Sequence, residues 1–532
     1  MSSFFLRKQP PSLRPAVVHA SRKQPPSLRP AVVHASGDDD MYDKYLYANN
    51  VLRTRMDAIW KRRVAENLER PEPVMRDVTE SHNVLFHRTY RPHVAMGHEY
   101  VVCRPSGGAA ASRLQVGSST TATFAFPAPA DFIGDMFFRV RFPVQTASGT
   151  TRYRYCAFPG VRMFERVELR VDGNDPIQSY ETDDVVLKMR MEVLGGDLHD
   201  PWCAEHGQAI ENTAETHANM HTAVHHFKEG PQTPKAVQPM LEMVPPLHFD
   251  CCSDPGRALF DPMLPRDLRR VVVTMAPLEK LIGAVDPYEV ATTLDITSIE
   301  ISIELYVHIM VVDPMVRDIV EARPQVRLIR GHQSLHRTLS QDETSVPLKQ
   351  LRSPCEYLYF GVRDTANAAD LDRWCMFGTP KVRTAFNRLL IPRLKWNSSV
   401  AAVELVARRA KTTGEGYLES VVDTIGLRTA DGVQLVPELP PLVFSAYMPG
   451  RYGDHTIFAS KYDPNAMAIV FGVHPGKFAP SGHLSFSAAG RQAELVVKGS
   501  TIAPGSEVEL VVSSRTLNFV MRRDGELRLI FT

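Results

Sequence analysis

The chain has 532 residues, more than one hydrophobic core usually serves, so two to four domains are expected. Apolar residues make up 44% and charged residues 23%, which excludes a wholly disordered or fibrous chain. Lys and Arg number 61 against 60 Asp and Glu, a net charge of +1, and that argues against a surface built for nucleic acid.

Proline is the outlier, with 40 residues scattered from end to end, so long helices should be scarce and loops plentiful. No run approaches the roughly 18 consecutive apolar residues of a membrane span. The seven cysteines, at 103, 156, 203, 251, 252, 355 and 375, are widely spaced with no Cys-x-x-Cys. They read as free thiols in a reducing compartment, not as a disulfide or zinc framework.

Residues Arg7–Ser21 read RKQPPSLRPAVVHAS, and Arg22–Ser36 repeat those letters without change. The first 36 residues hold six basic side chains and no acidic one. Such a repeat cannot bury a core, so residues 1–40 are expected to form a flexible basic arm. Three readings of it stay open: a transit peptide interrupted by Pro-Pro, an arm touching a membrane or partner, and an extension upstream of a start at Met41. Residues 41–79 are expected to form an N-terminal helical segment, because Leu46, Val51, Leu52, Met56, Ile59 and Trp60 fall near helical spacing across 43–69. Pro71-Glu72-Pro73 ends it.

From about residue 80 the pattern turns to strands. Phe138, Val140 and Phe142 alternate with Arg139 and Arg141; Val167, Leu169 and Val171 alternate with Arg166, Glu168 and Arg170. Each predicts one buried and one wet face. A short helix is expected over Thr182–Leu194, with Thr182 as N-cap and Gly195 past its end. The clearest strand places Ile299, Ile301, Ile303, Leu305, Val307, Ile309 and Val311 on consecutive odd positions. Asp313-Pro314 breaks it, and Met315–Arg330 reads as a short helix and connector, which sets a boundary between 80–314 and 315–532. Near the end, Asp524-Gly525 is a two-residue turn signal that pairs Arg523 with Glu526. The fold class is all-β, two successive sandwiches.

Chemistry is mostly missing. There is no Gly-x-Ser-x-Gly, and His98-Glu99 is followed by Val102 where a zinc-protease His would stand. Gly472-Val-His-Pro-Gly476-Lys477 is one residue short of a phosphate loop, puts Phe478 at the magnesium position, and reads as a turn. His199, His206, His217, His221, His225 and His226, with Cys203 nearby, read as a solvated His-rich loop rather than a metal site. Vicinal Cys251-Cys252 reads as buried packing. Asn397-Ser398-Ser399 fits a glycosylation sequon that a reducing compartment would leave unused. No catalytic, cofactor-binding or metal residue is assigned, no cofactor is expected, and the chain is not read as an enzyme.

Several stretches go further. Ala130-Asp131-Phe132-Ile133-Gly134-Asp135-Met136, running into FFRVRFP, and Pro480-Ser481-Gly482-His483-Leu484-Ser485-Phe486-Ser487 resemble the two sandwich signatures of major capsid proteins from nucleocytoplasmic large DNA viruses. Phe86–Pro105, Tyr155–Gly173, Gly230–Lys235, Glu356–Gly361, Tyr447–Gly453, Tyr462–Ile469 and Val511–Thr532 occur in the order of the asfarvirus-like branch of that family. The resemblance spans about residues 43 to 532. It implies a double jelly roll of two eight-stranded sandwiches, a homotrimer with a near-hexagonal footprint, and an icosahedral shell built from neighbouring capsomers. It further implies minor capsid and penton proteins as partners, and the inner viral membrane near the N-terminal arm. A virus-encoded folding chaperone, assembly in the host cytoplasm and residence in the virion capsid follow from it too. The duplicated arm has no counterpart in that pattern, and the loops of the first sandwich are shorter than in the African swine fever virus branch. Two other readings are carried beside it: a minor or vertex capsid protein of the same fold, and a carbohydrate-binding or glycan-cleaving double sandwich needing aromatic platforms or a carboxylate pair.

Overall fold

The computed structural model describes residues 96–531 apart from 127–129, 172–175, 194–198, 209, 212–225, 228–232, 261–263, 265–268, 287–290, 323–325, 340–344, 372, 378, 383–392, 398–401, 407–415, 420–421, 455, 459–464, 487–491, 500–507 and 524–525. The duplicated arm, the 43–69 helix, the two-residue turn 524–525 and Gly195 lie outside the described residues.

In the first half the main strands of the two facing sheets are β1 Met96–Cys103, β2 Thr120–Ala125, β3 Phe132–Phe142, β4 Phe164–Arg170, β5 Gln178–Glu181, β6 Leu241–Met243, β7 Arg270–Met275 and β8 Ser302–Val312. They pair antiparallel in two sheets, β1-β8-β3-β6 and β2-β7-β4-β5. In the second half they are β9 Val326–Leu339, β10 Ser345–Pro347, β11 Cys355–Asp364, β12 Thr424–Thr429, β13 Gln434–Leu439, β14 Ala466–Val470, β15 Ala493–Lys498 and β16 Val508–Arg523. These pair as β9-β16-β11-β14 and β10-β15-β12-β13. Counted within each half, both give the same order, 1-8-3-6 facing 2-7-4-5. That order defines a jelly roll, in which first and last strands lie side by side although far apart in sequence. Among the described residues no strand of one half pairs with a strand of the other.

Alternation creates each core. Met136, Phe138, Val140 and Phe142 of β3 face Val167 and Leu169 of β4 and Val271 and Val273 of β7, all buried. Phe124 and Phe138 bring their rings to 5.3 Å between the sheets. Each such side chain contributes about 1.5–3 kcal/mol by leaving water. In the second half Leu358, Phe360 and Val362 of β11 face Ile425, Leu427 and Leu495. Unlike β3, β11 is buried on both faces, which is why EYLYFGV reads as a continuous apolar run.

Four readings are corrected. The odd-position rule for β8 holds through Val307 and then fails: Met310 is buried and Val311 is 51% exposed. The reason is a β-bulge, for Val307 pairs with Met136 but Ile309 pairs with Ile133. Gly134 and Asp135 therefore oppose the single residue His308 and reverse the facing. Second, Glu168 is buried on the expected wet face, held between Arg166 at 2.7 Å and Arg170 at 2.6 Å.

Third, the helix after β5, α1 Thr182–Lys188, is capped by Glu181 rather than Thr182. Glu181 and Asp184 form a reciprocal capping box, and the Thr182 hydroxyl instead donates to the Phe164 carbonyl at 2.8 Å. A π-helical turn, Met189–Val193, extends α1. Last, the connector is shorter than expected. Helix α2 covers only Pro314–Glu321, capped by Asp313 on the Met315 amide at 2.8 Å, and β9 begins at Val326. The C-terminal pairing of Arg523 with Glu526 is as read.

Candidate functional site

The two sandwiches meet along one seam. α1 and its π turn lie across the outer face of β9-β16-β11-β14, so Tyr357, Tyr359, Ala466, Ala468 and Val511 of the second half join the first core. The helix sits there because β5 runs straight into it, with Val185, Val186, Leu187, Met189 and Met191 all buried.

Ion pairs fix the register of this contact. Arg363 donates two parallel hydrogen bonds to Asp183, both 2.7 Å, and a third to Glu509 at 2.9 Å. His336 adds contacts to Glu509 at 3.1 Å and Glu181 at 3.4 Å. Hydrogen bonds to Glu181 and Glu509 push the His336 imidazolium up to about 10. The same contact with His336 draws the Glu509 carboxyl down to about 2, with Arg363 adding to it. Asp184 accepts from the Ser334 hydroxyl at 2.7 Å, yet burial raises its carboxyl to about 6. Further along, Tyr359 donates to Glu192 at 2.8 Å and the Phe458 amide to the Met191 carbonyl at 2.7 Å.

A second cluster closes the other end. Arg330 and Glu356 form an ion pair at 2.8 Å and are 2% and 0% exposed. Gln178 of the first half donates to the Arg330 carbonyl at 2.9 Å and accepts from the Asp250 amide at 3.1 Å. Asp250 holds Arg257 at 3.1 Å, and Arg515 donates to His332 at 2.6 Å. Burial and the Arg515 charge both lower the affinity of His332 for a proton. These groups anchor a loop, for Arg257 donates to the Gly476 carbonyl at 2.6 Å and Arg330 to the Lys477 carbonyl. Gly472–Lys477 is thus a loop, turned by Gly476 at φ 75, that joins the halves. The Pro-Ser-Gly segment supports it from behind. Ser481 accepts from the His474 amide at 2.6 Å, and Gly482 packs where a Cβ would stand 2.8 Å from the Phe471 carbonyl oxygen.

The other signature is structural as well. Asp131 accepts from the Val312 amide at 2.9 Å and lies 3.7 Å from Arg317 of α2, closing the end of β8. Gly134 supplies the bulge, with room for a Cβ only 3.0 Å from His308.

The His-rich segment is corrected in part. His199–Glu205 is helical, and His206 is buried, stacked on Trp202 at 4.0 Å, with burial lowering it to about 4. His217, His221 and His225 lie outside the described residues. Cys251 is buried as read, and its thiol lies 3.9 Å from that of Cys252; none of the seven cysteines is in a disulfide. Among the described residues no group of three His, Cys, Asp or Glu side chains is placed to hold a metal ion. None of their helices is long and apolar enough to cross a membrane.

The outer face of β1-β8-β3 carries a strip of rings. Phe137 stacks on Tyr306 at 4.9 Å, Tyr100 on His308 at 4.9 Å, and His98 on His308 at 5.3 Å. His98 and His308 bring ring nitrogens to 3.2 Å.

Sequence reasoning missed the seam. Its members come from positions as distant as Asp183 and Arg363, and the one local signal is Glu356 and Arg363, charges flanking an apolar run.

Two jelly rolls of one strand order, locked side by side in one chain, define the double jelly-roll fold of viral major capsid proteins. Homologues of this chain include the major capsid proteins of African swine fever virus. It is 23% identical to hexon protein p72 of a Malawi tick isolate, over 654 aligned residues covering 93% of this chain and 98% of that protein. It is 22% identical to the major capsid protein of a Kenyan pig isolate, with the same coverage. The alignment is longer than the 532 residues here, so those relatives carry segments that this chain lacks. Among solved structures it is similar to the Faustovirus major capsid protein, with a TM-score of 0.63 and 21% identity over 90% of this chain and 98% of that one. The PBCV-1 virus capsid matches with a TM-score of 0.56 and 14% identity, covering 84% of this chain and 100% of that one. No protein-family model matches the chain.

Proposed function

We propose that this chain is the structural major capsid protein of a large double-stranded DNA virus. It trimerises into pseudo-hexagonal capsomers and assembles the icosahedral outer shell, with the virion capsid as its final location. The observation that carries this reading is the repeated strand order within one chain. Two equivalent sandwiches per chain let three chains present six similar units to a hexagonal lattice. The seam supports it, because a brick shared among many lattice contacts must hold its two halves at a fixed angle. Net charge of +1 limits repulsion between densely packed copies, and many weak contacts add up through valence.

The division between the sandwiches falls at Asp313-Pro314. The role is structural rather than enzymatic, and no cofactor is assigned. Minor capsid and penton proteins are the expected neighbours, with the N-terminal arm toward the inner membrane and a viral chaperone assisting folding in the cytoplasm. Light scattering on the full chain tests the core of this reading. A mass three times the chain's 59.5 kDa supports it, and a folded monomer overturns it.

A further inference from the structure

The two halves match beyond their strand order. In each, the fifth strand runs almost directly into a helix with a five-residue π turn, Met189–Val193 in the first half and Val443–Tyr447 in the second. The second continues as α3 Met448–Tyr452. The match extends to the sheets: Arg139 of β3 stands opposite Glu304 of β8, as Arg363 of β11 stands opposite Glu509 of β16.

The covering differs. The first helix covers the 1-8-3-6 sheet of the second half. The second helix packs on its own β14 with Phe444 and Pro449 buried, leaving Leu442, Tyr447 and Tyr452 exposed at 67%, 62% and 49%. The 1-8-3-6 sheet of the first half likewise has an outer face whose Tyr100 and Val102 are 49% and 44% exposed, beside Phe137 and Tyr306. Each half offers the surface that its counterpart in another copy needs.

We propose that the helix Val443–Tyr452 of one chain packs across the outer face of β1-β8-β3 in a second copy, repeating between chains the contact that α1 makes within one. This rests on the trimeric capsid reading. Within-chain and between-chain contacts then alternate around a ring of six sandwiches, a head-to-tail arrangement that closes at three chains. Tyr447, Tyr452 and Leu442 are suited to a platform of stacked rings, since aromatic groups dominate the cores of interfaces. The ion pairs of the inner seam have no match here, for Pro440 and Pro441 stand near the helix start where Asp183 stands in α1.

The test uses the full chain with the photoreactive residue p-benzoylphenylalanine at position 447. On irradiation, cross-linked dimers and trimers are expected, with adducts mapping to peptides of β1, β3 or β8. In parallel, Tyr100→Glu and Tyr447→Glu should each lower the solution mass threefold while near-ultraviolet dichroism is retained. Val433→Glu, at an exposed site on another loop, should leave the trimer intact. A trimeric wild type whose cross-links map elsewhere overturns this contact and leaves the capsid reading standing. A wild type at the mass of one chain overturns the capsid reading itself. If a glutamate variant misfolds, the cross-link map alone decides.

Discussion

Arg363, in the third strand of the second sandwich, grips Asp183, in the first turn of a helix from the first sandwich, through two parallel hydrogen bonds of 2.7 Å. Both side chains are largely shielded from water, at 8% and 12% exposure. A planar guanidinium facing a carboxylate in this way fixes angle as well as distance, which a lysine cannot do.

Removing that fork should loosen the joint. Arg363→Ala takes the fork from Asp183, leaving only the His336 imidazolium 3.7 Å away, and should cost about 1.5–3 kcal/mol. Arg363→Lys, which keeps the charge but loses the second bond, should cost less. Urea unfolding of both variants, with Asp183→Asn to complete a double-mutant cycle, measures the coupling directly; a coupling near zero would show that the pair is ornamental.

His336 and Glu509 give stability a defined pH window. The folded His336 pKa of about 10 lies above its ordinary value of 6.5. Its contribution is therefore full below about 6.5 and lost as pH rises toward 10. Glu509, lowered from 4.5 to about 2, contributes above about 4.5 and loses its share as pH falls toward 2. His336→Gln should flatten the fall in stability between pH 6.5 and 9, read from urea midpoints against the wild type.

Asp184 has the opposite sense among the carboxylates. Burial raises it from 3.8 to about 6, so its neutral form favours the folded state and that advantage fades as pH climbs from about 4 to 6. Asp184→Asn should erase this slope, and its melting temperature relative to wild type should rise between pH 4 and 7.

Gly482 holds the anchoring loop. A Cβ there meets the Phe471 carbonyl oxygen at 2.8 Å and the Gly472 Cα at 3.1 Å, both backbone atoms that cannot rotate away. Gly482→Ala should cost about 1–3 kcal/mol and speed hydrogen exchange across residues 471–482. Gly331→Ala, whose Cβ would find only Thr516 Oγ1 at 3.6 Å, should be tolerated.

Where one face is buried and no bulge intervenes, alternation reads the structure correctly, as at Phe138, Val140 and Phe142. It fails at Val311 because the cause lies in the partner strand, in the extra residue at Gly134-Asp135, which no local pattern of β8 encodes. Thr182 attracts the N-cap assignment by residue type, yet Glu181 takes it because Asp184 completes the reciprocal bond. His206 reads as solvated among its polar neighbours, yet Trp202, one helical turn earlier, shelters it. The seam was the least legible feature. Its partners lie on different sheets, and ion pairing across such separations leaves no spacing rule in the chain.

The strand order also sets a timetable for synthesis. In both halves the eighth strand lies inside the 1-8-3-6 sheet, between the first and third, so that sheet is incomplete until it arrives. The first sandwich can close once Val312 has left the ribosome, whereas the second must wait for Arg523. At 5–20 residues per second that interval is about 10–40 s. Throughout it, Asp183, Asp184 and Glu192 face a sheet not yet complete, and the apolar side of α1 is open to solvent. The groups that make the mature joint rigid are thus an unpaired, adhesive surface on the nascent chain.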